Sequence, residues 1–370
     1  MSSGLVSISS EERVNLIGLD YDQLVNFFSS IGEKSYRANQ IMSWLYHKKI
    51  YNLDLMTDIS LKLRNRLKEI CFIDFPQVKS MIKSKDGTIK WIIDARSGQF
   101  IETVFIPEVN RGTLCVSSQV GCALDCSFCS TGQQGFNRNL LSFEILGQVL
   151  LAAQSIDDSQ KITNIVFMGM GEPLANYKNL LPVIKILIDD KAFGLSKRKV
   201  TVSTAGIVPM IKKLSEECNV ALAVSLHAPG NSLRDKIVPI NKIYPIEDLL
   251  EACWLYAESL ASRQITFEYI MIDGVNDSKK EAKEIIRLLR GRPAKVNLIP
   301  FNSFSGTSFK CSKNKVINLF HEELKSSGIV STIRKTRGDD IDAACGQLAG
   351  QVNDLISSRL GEKPSRSARY

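Results

Sequence analysis

Cys122-Ala-Leu-Asp-Cys126-Ser-Phe-Cys129 decides how this 370-residue chain is read. Its three cysteines follow directly on the strand-like run Thr113-Leu-Cys-Val-Ser-Ser. Steps of four and then three residues let three thiolates converge from one loop on a compact metal centre. A structural zinc ion takes four protein ligands, with its cysteines paired by spacing. Here there is a tight trio and no obvious fourth ligand beside it. Three thiolates suit a [4Fe–4S] cluster with one iron left open, a departure from the usual four-cysteine ligation. Phe128 is placed to shield such a cluster. Three buried thiols acting as small hydrophobes are the plain alternative, although buried cysteines seldom cluster so tightly.

Working outward from this loop, strand and helix signals alternate from residue 111 onward. Apolar β-rich runs fall at 113–117, 163–168, 199–203, 220–226, 265–272 and 295–300. Helical patterns separate them, as at 143–154, 177–189, 206–217, 246–260 and 278–290. Repeated βα units predict an α/β fold with a parallel sheet and outer helices. Six such strands would make an open or partial (βα)6 barrel, whose site collects at the carboxyl ends of the strands. Those ends read Met168-Gly-Met-Gly171-Glu172-Pro173, Ser203-Thr204-Ala205-Gly206, Ser225-Leu226-His227 and Pro300-Phe301-Asn302. Each is polar where a buried strand should emerge into a cavity, although Ser and Asn also serve ordinary caps and turns. A last strand-like run, Val330–Arg334, precedes Thr336-Arg-Gly-Asp-Asp-Ile-Asp-Ala-Ala-Cys345-Gly-Gln-Leu and a helical pattern continuing through Val352 and Leu355.

Upstream, residues 14 to about 72 read as short amphipathic helices carrying Leu24, Phe27, Phe28 and Ile31, then Ile41, Trp44 and Leu45, then Leu63, Leu67 and Ile70. Between Lys34 and Lys68 lie eight Lys or Arg and only two acids. This is either a solvated surface or a phosphate-binding module. Residues 77–106 read as a β-meander with turns at Asp86-Gly87 and Ser97-Gly98, and with Glu102 in its third strand. The expected divisions are a helical RNA-binding module at 1–75, the meander at 76–110, the barrel at 111–340, and a C-terminal segment at 341–370 whose basic end, Gly361–Tyr370, is disordered.

Composition bounds the remaining classes. Hydrophobic residues make up 44% and charged residues 23%, as in a globular protein. No apolar run is long enough to span a bilayer and the N-terminus lacks signal-peptide character, so no membrane partner and a cytoplasmic location are expected. Nine cysteines, an odd number, argue for metal binding or catalysis rather than a disulfide framework. The net charge of +8 suits a polyanionic partner.

The CxxxCxΦC spacing, Φ being aromatic, is similar to the signature of the radical S-adenosylmethionine (SAM) superfamily. There, SAM chelates the open iron and one electron from the cluster cleaves it to a 5′-deoxyadenosyl radical. Within that superfamily the chain resembles the RlmN/Cfr family of RNA adenine methyltransferases over nearly its entire length. The stretches that carry the resemblance are Thr113–Asn139, Met168-Gly-Met-Gly-Glu-Pro-Leu-Ala-Asn-Tyr177 and Arg337-Gly-Asp-Asp-Ile-Asp-Ala-Ala-Cys-Gly-Gln-Leu348.

The resemblance implies a radical SAM barrel and a role for each matched residue. Cys122, Cys126 and Cys129 would hold the [4Fe–4S] cluster. Gly171, Glu172, Ser203, Ser225, Leu226, His227 and Asn302 would contact SAM. Cys345 would become S-methylated, Cys115 would be its resolving partner and Glu102 the proton acceptor. Cys71, Cys218, Cys253 and Cys311 match no motif position and read as structural. Two SAM molecules would be used per turnover: one methylates Cys345, and the radical from the second takes a hydrogen from that methyl group. The resulting radical adds to C2 of adenine, an electron-poor carbon that ordinary methyl transfer cannot reach. Loss of the C2 proton and attack of Cys115 on the Cys345 sulfur then release the base, leaving a disulfide to be re-reduced.

The implied partners are 23S rRNA, at an adenine of the peptidyl-transferase region, tRNA, at the adenine beside the anticodon, and a one-electron donor such as flavodoxin. The chain would act as a monomer. The base must be unstacked to reach the site, with the basic N-terminal helices and loop 133–138 as the expected RNA contacts. C8 methylation of the same rRNA base is the rival within the family, and the full N-terminal module favours C2. A non-catalytic RNA-binding protein with a structural metal is the rival from a different class.

Overall fold

The computed structural model describes residues 13–96, 98–157, 159–258 and 264–349. The turn residue Ser97, the helical continuation through Val352 and Leu355, and the tail Gly361–Tyr370 lie outside the described residues, as do the last two positions of the 246–260 helix.

Short helices build the N-terminal part. β1 (Val14–Asn15) leads into α1 (Tyr21–Ser30), where the Gln23 N–H donates to Asp20 and the Asp20 N–H donates to the Gln23 side chain. This reciprocal box satisfies two amides that the first turn leaves open. α2 (Tyr36–Met42) runs into a π-type turn at Ser43–His47, which buries Trp44, Leu45 and Tyr46. α3 (Leu61–Ile70) starts at the Ser60 cap and buries Leu63 and Leu67, with basic residues on its outer face. The chain returns as β2 (Cys71–Phe72), which pairs parallel with β1.

β3 (Val78–Lys83), β4 (Ile89–Asp94) and β5 (Phe100–Glu108) form the expected antiparallel meander. β5 also pairs antiparallel with β6 (Arg111–Cys115), so the meander continues the main sheet. A small sheet of β7 (Gln119–Gly121) and β8 (Phe136–Asn139), with α4 (Ser130–Gln133) between them, frames the three-cysteine loop. Then α5 (Ser142–Ser155), β9 (Asn164–Phe167), α6 (Tyr177–Ile188), β10 (Val200–Thr204), α7 (Val208–Glu217) and β11 (Ala221–Ser225) alternate. They are followed by α8 (Asn231–Ile237), α9 (Ile246–Glu258), β12 (Ile265–Met271), α10 (Lys279–Leu289), β13 (Ala294–Pro300), α11 (Asn314–Ser326) and β14 (Val330–Ile333).

The ten-stranded sheet has the order β14-β13-β12-β11-β10-β9-β6-β5-β4-β3. From β6 to β14 every pairing is parallel, and each strand lies beside its predecessor. The six expected barrel strands form, and β14 adds a seventh at the edge. One cavity is lined by Thr113, Val166, Thr201, Ala223, Thr266, Lys295 and Thr332, one residue from each parallel strand. A sheet whose members all face one cavity has curled, as a partial barrel does. Phe105, Phe167 and Phe267 are fully buried in the surrounding core, each contributing roughly 1.5–3 kcal/mol. Among the described residues no helix is long and apolar enough to cross a membrane.

Candidate active site

The three-cysteine loop leaves β7 at the carboxyl end of the barrel and ends at α4. Backbone bonds fix its path: Cys122 N–H to the Gly135 carbonyl at 2.8 Å, Cys129 N–H to the Cys126 carbonyl at 3.1 Å, and Ser127 N–H to the Ile237 carbonyl at 3.3 Å. Cys122, Cys126 and Cys129 line one cavity of about 160 Å³ together with Phe128, Gly171, Glu172, Ser203, Ser225 and His227. Burial pushes all three thiols up, and the thiolates would repel one another further. Such a trio needs a positive centre to ionise against, which an iron–sulfur core provides. Among the described residues no three His, Cys, Asp or Glu side chains lie close enough to hold a single metal ion. Three thiolates match the three cysteine-held corners of an open [4Fe–4S] cluster and are one short of the four protein ligands of a structural zinc site.

The strand ends supply the rest of this cavity. Gly171 has φ +93°, and a Cβ there would lie 2.4 Å from Cβ of Gln119. Only glycine fits both constraints. Gln119 in turn accepts the Glu172 N–H at 2.8 Å. The Glu172 carboxylate accepts the N–H groups of Leu174 (3.0 Å) and Ala205 (2.8 Å). Burial pushes its pKa up to about 7 against those bonds. His227 takes a left-handed conformation, φ +58°, and its Nδ1 accepts the Ile270 N–H at 3.1 Å. Burial, followed by the nearby Arg234 charge, holds its pKa down at about 3, so the ring is neutral. Phe128 packs edge-on against it with centroids 4.5 Å apart. Leu226 is fully buried, its carbonyl accepting from Arg234, and its side chain does not line the cavity.

Cys345 is brought in by a segment that crosses the barrel mouth. Lys90 donates to the Asp342 carbonyl at 3.2 Å, and the Ala349 N–H donates to Glu102 at 3.3 Å. Asp340 accepts from the Ser84 hydroxyl at 2.6 Å, and Asp86 accepts the Gly338 N–H at 3.1 Å. The Ser130 N–H reaches the Gly346 carbonyl at 2.8 Å, and Asn302 donates to the Cys345 carbonyl at 3.1 Å. The meander and the cluster loop thus grip the same segment.

Cys345 lines both the smaller cavity and the adjoining one of about 570 Å³, which it shares with Cys115 and Asn302. Burial, then the neighbouring Cys345, pushes the Cys115 thiol up to about 12. Arg334 also lines both cavities, and Cys345 beside it favours its charged form. Glu102 is buried within 3.5 Å of Lys90, faces the C-terminal segment, and lines neither cavity. In loop 133–138, the Arg138 guanidinium forks onto Glu144 with two 2.7 Å bonds, so it is already engaged. Gln119, Arg234, Glu268 and Arg334 are the site residues that sequence reasoning missed.

A partial barrel of seven parallel strands with a half-buried three-cysteine loop at the carboxyl ends of its strands defines a radical SAM enzyme. The family model of the radical SAM superfamily matches residues 116–289, and that of the ribosomal RNA large subunit methyltransferase N-terminal domain matches residues 14–73. The chain is 52% identical over 367 residues to the dual-specificity RNA methyltransferase RlmN of Francisella tularensis subsp. mediasiatica, covering 97% of each chain. It is equally similar, over the same share, to that of F. tularensis subsp. novicida. The crystal structure of a radical SAM methyltransferase from Sphaerobacter thermophilus superposes with a TM-score of 0.84 at 42% identity, covering 90% of this chain and 99% of that one. The chain belongs to the RlmN family of radical SAM methyltransferases.

Proposed function

We propose that this enzyme is an RNA methyltransferase that acts on C2 of adenine in 23S rRNA and tRNA, through S-methylation of Cys345. The observation that carries the reading is the position of Cys345: it faces the cavity of the cluster cysteines on one side and that of Cys115 on the other. One sulfur can therefore meet the methyl donor in the first cavity, the base in the second, and a resolving thiol beside it. Cys122, Cys126 and Cys129 would hold a [4Fe–4S] cluster with SAM bound at its open iron, which together supply the 5′-deoxyadenosyl radical when bound. Gly171, Glu172, Ser203, Ser225 and His227 form the wall against which SAM would be oriented.

With SAM bound, the Cys345 thiolate would displace S-adenosylhomocysteine from the sulfonium methyl group and keep the methyl as a thioether. Once that methyl carbon has lost a hydrogen atom and joined C2, the adduct gives up the C2 proton and one electron, which would return to the bound cluster. The Cys115 thiolate attacks the Cys345 sulfur, the Cys115–Cys345 disulfide forms as the sulfur–carbon bond breaks, and that carbon takes up a proton as the methylated base leaves. Glu102 is the proposed acceptor of the C2 proton. A carboxylate serves only within hydrogen-bond reach of that proton, so in this role Glu102 must reach the base beneath the segment it bonds.

The test is an anaerobic reaction of the cluster-loaded enzyme with RNA and methyl-labelled SAM, read by nucleoside mass spectrometry. Label at adenine C2 together with 5′-deoxyadenosine is the expected result, and Cys345→Ala abolishes it. Label at C8 would move the enzyme to the rival chemistry. RNA binding without 5′-deoxyadenosine from a loaded cluster would sink the radical reading.

A further inference from the structure

Glu268 has no part in the reaction as described, yet it is the carboxylate that lines both cavities. It lies on β12 in a row of residues in register across the barrel interior: Ser225 on β11, Glu268, Asn297 on β13 and Thr332 on β14. The row is bonded in one direction. The Thr332 hydroxyl donates to Asn297 Oδ1 at 2.6 Å, and Asn297 Nδ2 donates to Glu268 Oε1 at 3.0 Å. There the ladder stops. Glu268 is only 4% exposed, and its Oε2 has no hydrogen-bond partner among the described residues. Burial pushes its pKa up, and the Arg334 charge works against that without a hydrogen bond between the two among those residues. A buried carboxylate oxygen with nothing to accept costs free energy unless a ligand donor completes it.

We propose that Glu268 reads the exocyclic amino group of the target adenine, which makes it a specificity-determining residue. The inference rests on the C2 reading above. C2 and the amino-bearing carbon belong to the same six-membered ring, so a base with C2 at Cys345 can turn its amino edge to another group on the wall they share. Adenine presents an N–H donor at that position and guanine a carbonyl, which a carboxylate accepts and repels respectively. Asn297 fixes which oxygen is left over. In Glu268→Gln, Oε1 keeps the Asn297 bond and an NH2 group replaces the free oxygen, setting donor against donor. The cavity of about 570 Å³ lies within the range of ordinary ligand sites.

The experiment compares RNAs carrying adenine or purine, which lacks the amino group, at the target position, using cluster-loaded wild type and Glu268→Gln. In wild type, replacing adenine by purine lowers kcat/KM roughly 10- to 100-fold, the size expected for one charge-assisted bond. In Glu268→Gln the adenine RNA falls by a similar factor, while the purine RNA is processed as by wild type. Methylation of Cys345 in the absence of RNA, read as added protein mass, stays intact and reports a folded, SAM-competent variant. An unchanged preference for adenine over purine in Glu268→Gln would overturn the proposal. So would loss of Cys345 methylation or of SAM affinity, which would assign the free oxygen to the cofactor. Failure of wild type to make 2-methyladenine on the adenine RNA would overturn the C2 reading itself, an outcome separable from the others because it needs no variant.

Discussion

Arg234, on α8, carries a full charge and is completely buried, bonded among the described residues to neutral oxygens alone. Its guanidinium donates to the carbonyls of Ala205 (2.6 Å), Ser225 (2.9 Å) and Leu226 (3.1 Å) and to Asn241 Oδ1 (2.9 Å). It thereby ties together the ends of β10 and β11, which line the smaller cavity. Burial lowers its pKa to about 10, and the adjacent Cys126 works against that. Arg234→Met leaves these oxygens unsatisfied and should cost about 3 kcal/mol or more, measured by urea unfolding; a loss under about 1 kcal/mol would show that the two strand ends hold without it. Nothing in the sequence announces this residue. An arginine on a short helix reads as surface, and only the fold reveals that its helix packs over two strand ends. Glu268 was hidden in the same way inside an apolar strand run, whereas Cys122, Cys126 and Cys129 declared themselves by spacing.

His227 gives a pH dependence with a definite sign. Its pKa is depressed from 6.5 to about 3, so between those values the unfolded chain takes up a proton that the folded chain refuses. Stability therefore falls as pH drops through this window, by up to about 1.4 kcal/mol per unit, and does not depend on this residue's titration above it. His227→Asn, which tolerates the positive φ, should flatten urea-derived stability between about pH 6.5 and 4.5. An identical slope in the variant would mean that the ring is not the buried neutral group described.

At the scale of elements, the β3–β4 hairpin works as a clasp. Ser84 and the Lys85 N–H bind Asp340, and Asp86 binds the Gly338 N–H, so the turn holds the segment that carries Cys345. Asp340→Ala removes two of these bonds. Limited proteolysis within residues 336–349 should quicken about tenfold or more while far-ultraviolet dichroism stays unchanged. Cleavage at the wild-type rate would show that Asn302, Ser130 and Lys90 suffice. Strand positions were legible to within a residue or two because alternation and turn residues mark them. The clasp was not legible, since it joins positions more than two-thirds of the chain apart through side chains that look like ordinary turn polars. The joining of β5 to β6 and the parallel placement of β14 were likewise matters of packing rather than local pattern.

Over the whole molecule, charge is distributed unevenly. Of the cations between Lys34 and Lys68, several serve the fold: Arg37 pairs with Glu33, Arg66 donates to the Ile31 carbonyl, and Lys68 and Arg64 both meet Asp54. Lys34, Lys49 and Lys62 remain exposed. If these three grip RNA phosphates, alanine at all three should weaken RNA binding and reduce the slope of log affinity against log salt by about 1 for each phosphate no longer neutralised. An unchanged slope in a salt titration would move the RNA to another face.

The clasp also bears on synthesis. Domains emerge and fold from the amino end, so a chain halted before residue 330 already carries the three cysteines that would take up iron. It lacks Arg334, Cys345, and the last parallel strand that closes the row beginning at Ser225. The contacts that seat Cys345 are among the most sequence-distant in the protein, and distant contacts form late. A truncated product would therefore keep the three loop cysteines while lacking Cys345, so on the function proposed above incomplete translation would yield inert chains rather than half-competent ones.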